Sequence, residues 1–202
     1  MTFQSLNEIF FERAKENSDK PFLFSKINKE WKSLSWEETS EKVKEFSSGL
    51  KAHDIKSGDR VVIASENRPE WIIADLAITL LGGITVPAYT TNTEDDHHYI
   101  LEHSGAKAVI TSSNILANRL ALATTRTKNC KILITIDKYN GFEPENLNIL
   151  NFNEVSNFGK NTIENATEYL DSIRPDDTSC IIYTSGTGGR PKGVMLTHKN
   201  IY

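Results

Sequence analysis

Ten residues in the last part of the chain combine the groups that bind a row of phosphates. The segment 184–193 reads Thr-Ser-Gly-Thr-Gly-Gly-Arg-Pro-Lys-Gly and holds four of the eleven glycines, three hydroxyl side chains and two cations. Glycines let backbone N–H groups turn inward around an anion, a lysine adds a point charge, and hydroxyls donate to phosphate oxygens or reach a bound metal. No Asp or Glu occurs from Tyr183 to Tyr202. The segment therefore predicts a site for the triphosphate tail of a nucleotide.

Two well-known phosphate-binding loops do not fit this segment. A Walker A loop ends in Gly-Lys-Ser/Thr, whereas Lys192 precedes Gly193 here. A dinucleotide fingerprint that starts at Gly186 would need a glycine where the chain has Pro191. The structural alternative is a glycine-rich surface hairpin that binds nothing.

A third signature does fit. From Tyr183 to Val194 the chain resembles the Tyr/Phe-Thr-Ser-Gly-Thr-Thr-Gly-x-Pro-Lys-Gly-Val signature of the acyl-adenylate-forming superfamily, which comprises acyl-CoA synthetases, peptide-synthetase adenylation domains and luciferases. The departure is Gly188, where the family usually has Thr or Ser. Segments 58–61, 65–71 and 86–93 are similar to bacterial long-chain acyl-CoA synthetases. The chain is thus identified as resembling the N-terminal part of such a synthetase.

The resemblance implies that this loop holds the β- and γ-phosphates of ATP while a substrate carboxylate attacks the α-phosphate. Pyrophosphate leaves, and the thiol of CoA then attacks the acyl-AMP. The phosphate-binding residues it implies are Thr184, Ser185, Gly186, Thr187, Gly188, Gly189 and Lys192. Thr187 is the one candidate ligand for Mg²⁺, and Gly188 puts one phosphate or magnesium contact in question because it lacks a hydroxyl. Pro191 stiffens the loop, and Arg190 is interpreted as a solvent-facing residue.

The implied substrates and cofactors are ATP, Mg²⁺, a fatty acid and CoA. In the family the adenine, ribose and carboxylate contacts, including a catalytic lysine, come from segments that would follow Tyr202, so no catalytic residue is assigned here. We expect the chain to be the N-terminal fragment of an acid–CoA ligase and to show no measurable adenylation alone. Two alternatives stay open: a non-catalytic remnant that binds a nucleotide or a partner, and an adenylation domain that loads a carrier protein. The coding DNA beyond Tyr202 would separate a fragment from a remnant.

Composition excludes several other classes of protein. A net charge of −4 over 202 residues disfavours a nucleic-acid partner. Two cysteines, Cys130 and Cys180, give neither a disulfide framework nor metal-ligand spacing, and the N-terminus lacks the features of a signal peptide, so we expect a cytoplasmic protein. The apolar segment 71–89 is interrupted by Asp75, two glycines and a proline, which favours a buried helix and a strand over a membrane span. Contact with a membrane surface stays open.

The hydrophobic pattern predicts an α/β fold with a mostly parallel sheet flanked by helices. The predicted helices cover 5–17, 35–50, 69–82, 94–103 and 114–123. The predicted strands cover 22–24, 60–64, 84–86, 106–111, 131–136, 179–183 and 194–196.

The chain is predicted to divide at residue 178. Residues 1–178 form an N-terminal α/β subdomain, in which 137–178 is a polar, asparagine-rich surface excursion with one short helix over 164–170. Residues 179–202 supply a strand, the phosphate-binding loop and the start of a further subdomain, with Thr197 as the cap of a helix.

Other residues that could do chemistry have simpler explanations. The segment 94–98, Glu-Asp-Asp-His-His, cannot direct all its side chains to one metal ion from a helix, and acids in a first turn suit the helix dipole. His53 and His103 stand alone, and His198 is assigned to structure or to the lining of the pocket. Four further residues are assigned to the interior. These are Cys180, Trp31, Trp36 and Trp71.

Overall fold

A seven-stranded sheet organises the chain, as the sequence predicts. The computed structural model describes residues 4–160, 166–185 and 189–202. The strands of the sheet are β3 (Arg60–Ala64), β4 (Ile84–Pro87), β5 (Ala108–Thr111), β6 (Ile132–Thr135), β7 (Asn148–Asn151), β8 (Thr178–Thr184) and β9 (Lys192–Thr197), while β1 (Pro21–Ile27) and β2 (Glu30–Ser35) lie outside this sheet. The strand order is β7-β6-β5-β3-β4-β8-β9, and all neighbours are parallel except β8 and β9.

Helices cover both faces of the sheet because successive strand residues point to opposite sides. The helices are α1 (Leu6–Asn17), α2 (Trp36–Ala52), α3 (Pro69–Leu80), α4 (Glu94–Ser104), α5 (Asn114–Thr125) and α6 (Phe152–Lys160). Val61 and Ile63 pack with α1, α2, α3 and α6, whereas Val62 and Ala64 pack with α4 and α5. The prediction of a helix and a strand within 71–89 is confirmed by α3 and β4, and among the described residues no helix is long and apolar enough to cross a membrane.

The helix ends lie where the local sequence predicts them. The Ser35 hydroxyl accepts from the Glu38 amide, and the Glu38 carboxylate accepts from the Ser35 amide, which completes the predicted capping box of α2. Pro69 occupies the first turn of α3, where its missing N–H is harmless. Gly105 ends α4 with a left-handed φ of 63°.

Residues 21–35 form a hairpin that the sequence predicts only in part. Strand β1 (Pro21–Ile27) pairs with β2 (Glu30–Ser35), which was not predicted, as a separate two-stranded antiparallel sheet. At its base the Phe22 ring stacks on Trp36 with centroids 3.8 Å apart. At its other end Trp31 is 70% exposed, so its assignment to the interior was wrong. The sequence of β2, Glu-Trp-Lys-Ser-Leu-Ser, is too polar to be recognised as a strand unless its partner β1 is known.

The interpretation of 137–178 as a surface excursion was wrong in its middle part. Strand β7 lengthens the sheet beside β6, and α6 packs against α2, where the Phe46 and Phe152 rings stack 3.9 Å apart. In place of the short helix predicted over 164–170, a 3₁₀ helix runs from Ala166 to Ser172. Residues 161–165 lie outside the described residues. The asparagines hid these elements because most of them are turned to solvent.

Strands β8 and β9 close one edge of the sheet. β8 pairs with β4 through Thr85 and Cys180, within the same sheet as the preceding strands, and the division at residue 178 stays a prediction. After β9 the structure has a 3₁₀ turn, His198–Asn200, instead of the predicted helix after Thr197. Met195 on β9 is 68% exposed, which leaves apolar surface at this edge.

The contact between α2 and α6 can be tested at Gly159. A Cβ there would lie 1.8 Å from the Glu45 carbonyl oxygen and 2.5 Å from the Gly49 nitrogen, both of them backbone atoms of α2. Gly159→Ala must separate the helices and is expected to lower the free energy of unfolding by about 1–3 kcal/mol in urea titrations. Asn157→Ala on the exposed side of the same helix is the control. Equal stability of the two variants would contradict this packing.

Candidate functional site

The β8–β9 hairpin brings several of the candidate residues together. Thr184 ends β8, Lys192 begins β9, and the two are cross-strand partners, so their side chains leave the same face of the hairpin. Both are exposed, as are Ser185 and Gly189. The hydroxyls of Thr184 and Ser185 and the ammonium group of Lys192 are thus accessible at the base of the glycine-rich loop. Three of the candidates, Gly186, Thr187 and Gly188, lie outside the described residues.

Gly189 is in a conformation that favours glycine. Its φ is 141°, which L side chains rarely adopt, and a Cβ placed on it would meet no heavy atom within 4 Å. Gly193 has a different reason to lack a side chain. A Cβ there would lie 2.9 Å from Cγ2 of Ile181 and 3.4 Å from the Tyr183 ring. The first glycine serves the turn and the second serves packing within the hairpin.

Helix α4 holds the hairpin at two points that the sequence did not reveal. The Tyr183 hydroxyl and His103 Nδ1 are hydrogen-bonded at 2.8 Å, and the Tyr99 hydroxyl donates to the Pro191 carbonyl at 2.9 Å. The Arg190 guanidinium lies 5.2 Å from the centre of the Tyr99 ring, so this residue is exposed but not free in solvent. His103 therefore does not stand alone. One anchor precedes the loop and the other follows it.

Burial keeps the Tyr183 anchor in one protonation state at neutral pH. The buried position raises the pKa of Tyr183 to about 12, with a smaller contribution from the neighbouring Tyr99. The hydroxyl therefore stays a phenol and shares a proton with the imidazole of His103 instead of carrying charge into the interior. The signal that could have revealed this pair is the spacing of Tyr99 and His103, four residues apart on one face of a helix.

A groove lies between α4 and the outgoing side of the loop, with a volume of about 590 Å³. It is lined by Asp95, Asp96, His98, Tyr99, Glu102, His103, Arg126, Arg190 and Pro191. Arg126 is ion-paired with Glu94 and Asp95 and so has its charge already compensated. The wall carries three carboxylates against two guanidinium groups, and Glu94 beside Arg126 adds a further negative charge, so the balance of charge disfavours phosphate. The groove is therefore less suited to a nucleotide tail than the acid-free face of Thr184 and Lys192.

The acidic and histidine-rich segment at 94–98 serves the start of α4. The Thr93 hydroxyl accepts from the Asp96 amide, and the Asp96 carboxylate accepts from the Thr93 amide at 2.9 Å. His97 is fully buried, whereas Asp96 is exposed and lies beside the groove. Within the described parts of the chain, no three His, Cys, Asp or Glu side chains are placed to hold one metal ion.

Two reactive residue types near the hairpin are held in unreactive states. Cys180 is half-buried, not fully buried as predicted, and burial together with the nearby Asp75 raises the pKa of its thiol. His198 is buried, which lowers its pKa, and its backbone N–H donates to the Asp177 carbonyl at 3.0 Å. The thiol stays protonated and the imidazole stays neutral at pH 7. We therefore assign both side chains to the packing around the hairpin and not to chemistry at the site.

Comparison with known proteins identifies relatives along almost the whole chain. The model of the AMP-binding enzyme family matches residues 10–202. The chain is 28% identical over 200 residues to the long-chain-fatty-acid–CoA ligase ACSBG2 of Gallus gallus, covering 98% of this chain and 26% of that one. It is also 28% identical to the long-chain-fatty-acid–CoA ligase FadD15 of Mycobacterium tuberculosis, covering 95% of this chain and 31% of that one.

A solved structure shares the fold. The crystal structure of the anthranilate CoA ligase AuaEII in complex with anthranoyl-AMP superposes with a TM-score of 0.82 at 21% identity, covering 98% of this chain and 36% of that one. This likeness shows the fold of the N-terminal part of such ligases. The chain spans about a quarter to a third of the length of the curated relatives named above.

The Tyr99 anchor can be tested by removing one atom. Tyr99→Phe keeps the ring under Arg190 but deletes the hydroxyl that bonds the Pro191 carbonyl. We expect a loss of about 1 kcal/mol of local stability, seen as faster amide hydrogen exchange in residues 189–194. Tyr89→Phe, at a tyrosine that is 74% exposed, is the matched control. Identical exchange in both variants would show that the anchor does not hold the loop.

Buried His97 predicts a loss of stability in acid. Burial, and secondarily the charge of Arg119, lowers its pKa from 6.5 to about 4. Because the unfolded chain takes up the proton more readily, this contribution to the free energy of unfolding is complete above pH 6.5 and falls by about 3 kcal/mol as the pH drops towards 4. Chemical unfolding at a series of pH values should show the slope, reduced in His97→Leu and retained in His53→Gln. A slope that His97→Leu leaves unchanged would assign it to other groups.

Proposed function

The chain belongs to the AMP-binding enzyme family, and on that premise we propose that it supplies the ATP phosphate-binding part of a long-chain fatty acid–CoA ligase. Such a ligase activates a fatty acid as acyl-AMP and transfers the acyl group to CoA. The observation that supports this proposal is the exposed pairing of Thr184 with Lys192 at the base of a glycine-rich loop, on a segment that contains no acid from residue 183 to 202. The named relatives that are fatty acid–CoA ligases support the substrate class.

The chemistry assigned to the described residues is electrostatic. When the fatty acid carboxylate attacks the α-phosphate, the bond to the β-phosphate breaks and negative charge accumulates on pyrophosphate. In the proposal the Lys192 ammonium lies beside that charge, and the hydroxyls of Thr184 and Ser185 donate to phosphate oxygens. Groups that are already oriented before the reaction stabilise such charge without a reorganisation cost. Helix α4 supplies the orientation through its contacts with Tyr183 and Pro191.

Magnesium would neutralise part of the triphosphate charge, and the one side chain proposed to hold it is the hydroxyl of Thr187. The donor set on the described side of the loop consists of the Thr184 and Ser185 hydroxyls and the Lys192 ammonium group, which suits phosphate oxygens better than a metal cation. Thr187 remains the proposed contact from the sequence, and it lies outside the described residues.

Direct binding of inorganic pyrophosphate and ATP to the 202-residue chain tests the phosphate-binding role. Lys192→Ala is expected to weaken the binding of either by about tenfold, because one charge-assisted contact is lost. Lys199→Ala removes the same charge from an exposed position seven residues away and is the control. Isothermal titration with equal effects of the two variants would indicate general attraction of anions and would contradict a site at Lys192.

The thiol acceptor is tested with a protein that carries this chain together with the remainder of the ligase. Formation of acyl-CoA from a long-chain fatty acid, ATP and free CoA supports the proposed ligase. Transfer to a carrier protein without any acyl-CoA would favour the adenylation-domain alternative. Binding of ATP without formation of acyl-AMP would favour the non-catalytic alternative.

A further inference from the structure

The tip of the β1–β2 hairpin, residues 24–32, presents large apolar side chains to solvent. Trp31 is 70% exposed, Phe24 is 59% exposed and Ile27 is 46% exposed. They belong to a separate two-stranded sheet, so the long central sheet does not extend beneath them. Such a cluster on a protruding element is typical of a contact surface, whereas single exposed apolar residues are ordinary.

The same tip is locally basic. Lys26, Lys29 and Lys32 are all exposed, and Glu30 is the one acid within residues 20–35, although the whole chain has a net charge of −4. Lys26 and Trp31 are cross-strand partners, and the ammonium nitrogen lies 5.9 Å from the centre of the indole ring. The side chains of Lys26, Trp31 and Phe24 therefore leave the same face of the hairpin.

The turn at the apex carries a lysine at a position where glycine is the usual residue. Asn28 and Lys29 have φ values of 52° and 69°, the left-handed region that a two-residue hairpin turn requires at both positions. Asparagine tolerates this region, but the second position usually carries glycine. Lys29 occupies it at a steric disadvantage, and its side chain adds a positive charge at the outermost point of the hairpin.

We propose that this hairpin tip docks the chain on the surface of an anionic phospholipid membrane. Indole and phenyl rings favour the boundary between headgroups and acyl chains, and lysines extend their charge to lipid phosphates. The rings of Phe24 and Trp31 leave one face of the tip and the aliphatic side chain of Ile27 leaves the other, so both faces offer apolar surface. A single-stranded nucleic acid would instead need a basic groove that follows its backbone. The combination therefore fits a lipid surface best.

The hairpin tip lies at the same end of the central sheet as the candidate phosphate site, although the proposed docking does not depend on the proposed function. A cavity of about 490 Å³ separates Phe24 and Trp31 from residues 67–70, which follow the carboxyl end of β3. Thr184 lies at the carboxyl end of β8, and β3, β4 and β8 are parallel. The hairpin tip and the candidate phosphate site therefore lie at the same end of the sheet, where the carboxyl ends of the parallel strands are.

Vesicle binding tests the proposal directly. The 202-residue chain is mixed with phosphatidylcholine vesicles that either contain or lack phosphatidylglycerol, and its partitioning is measured by co-sedimentation and by a blue shift of tryptophan emission. We expect binding to the anionic vesicles that weakens with added salt. Trp31→Ser should lower the partition coefficient by about tenfold and remove most of the blue shift. Leu122→Ser, on an exposed face of α5, is the control.

The charge contribution is tested with two triple variants that have the same net charge. K26Q/K29Q/K32Q should lower partitioning by on the order of 100-fold, since each lysine near an anionic surface contributes about fivefold. K15Q/K128Q/K138Q removes three exposed lysines elsewhere and should leave binding nearly unchanged. Thermal unfolding verifies that every variant is folded. No partitioning of the parent chain, equal effects of the two triples, or binding to single-stranded DNA in place of vesicles would each overturn the proposal.

Discussion

The position of the candidate phosphate site depends on how α4 holds the β8–β9 hairpin. Strand β8 lies at the margin of the parallel sheet, beside a β4 of only four residues, and β9 beyond it is antiparallel. A hairpin held only by such an edge would be free to twist. The contacts of Tyr99 and His103 with residues on both sides of the loop restrict that motion. The orientation of Lys192 towards a ligand thus depends on a helix that contributes no phosphate-binding residue of its own.

The sheet, its flanking helices and their main boundaries could be predicted from the sequence because local signals were strong there. Buried β-branched runs such as β3 and β5 have no helical period, and caps such as Ser35 and Gly105 define helix ends by hydrogen bonding and backbone conformation. The resemblance at 183–194 then indicated where a polyanion would bind. Each of these signals lies within a dozen residues of chain.

The features that sequence reasoning missed depend on partners far away in the chain. Strand β7 is polar by composition and is recognisable only beside β6, and α6 packs closely on α2 where Gly49 and Gly159 meet. The Tyr99–Pro191 contact joins residues 92 positions apart. The assignment of Trp31 to the interior was wrong because the burial of a strand residue is decided by the neighbour that covers it, which the local sequence does not reveal. Local patterns contain none of this information.

The two sides of the β8–β9 hairpin differ in charge, and this difference decides from which side a polyanion can approach the candidate site. The side that faces α4 carries carboxylates from Asp95, Asp96 and Glu102, while the face of Thr184 and Lys192 has no acid contributed by its own segment. A polyanion that approached the acidic side would be repelled, and one that approached the other face would meet hydroxyls and an ammonium group. That face also lies at the end of the sheet where the β1–β2 hairpin tip lies. Under the two proposals taken together, a fatty acid leaving an anionic membrane would arrive at the end of the sheet where ATP binds. The fold thereby places both proposed surfaces at the carboxyl ends of the parallel strands, where α/β proteins generally bind their ligands.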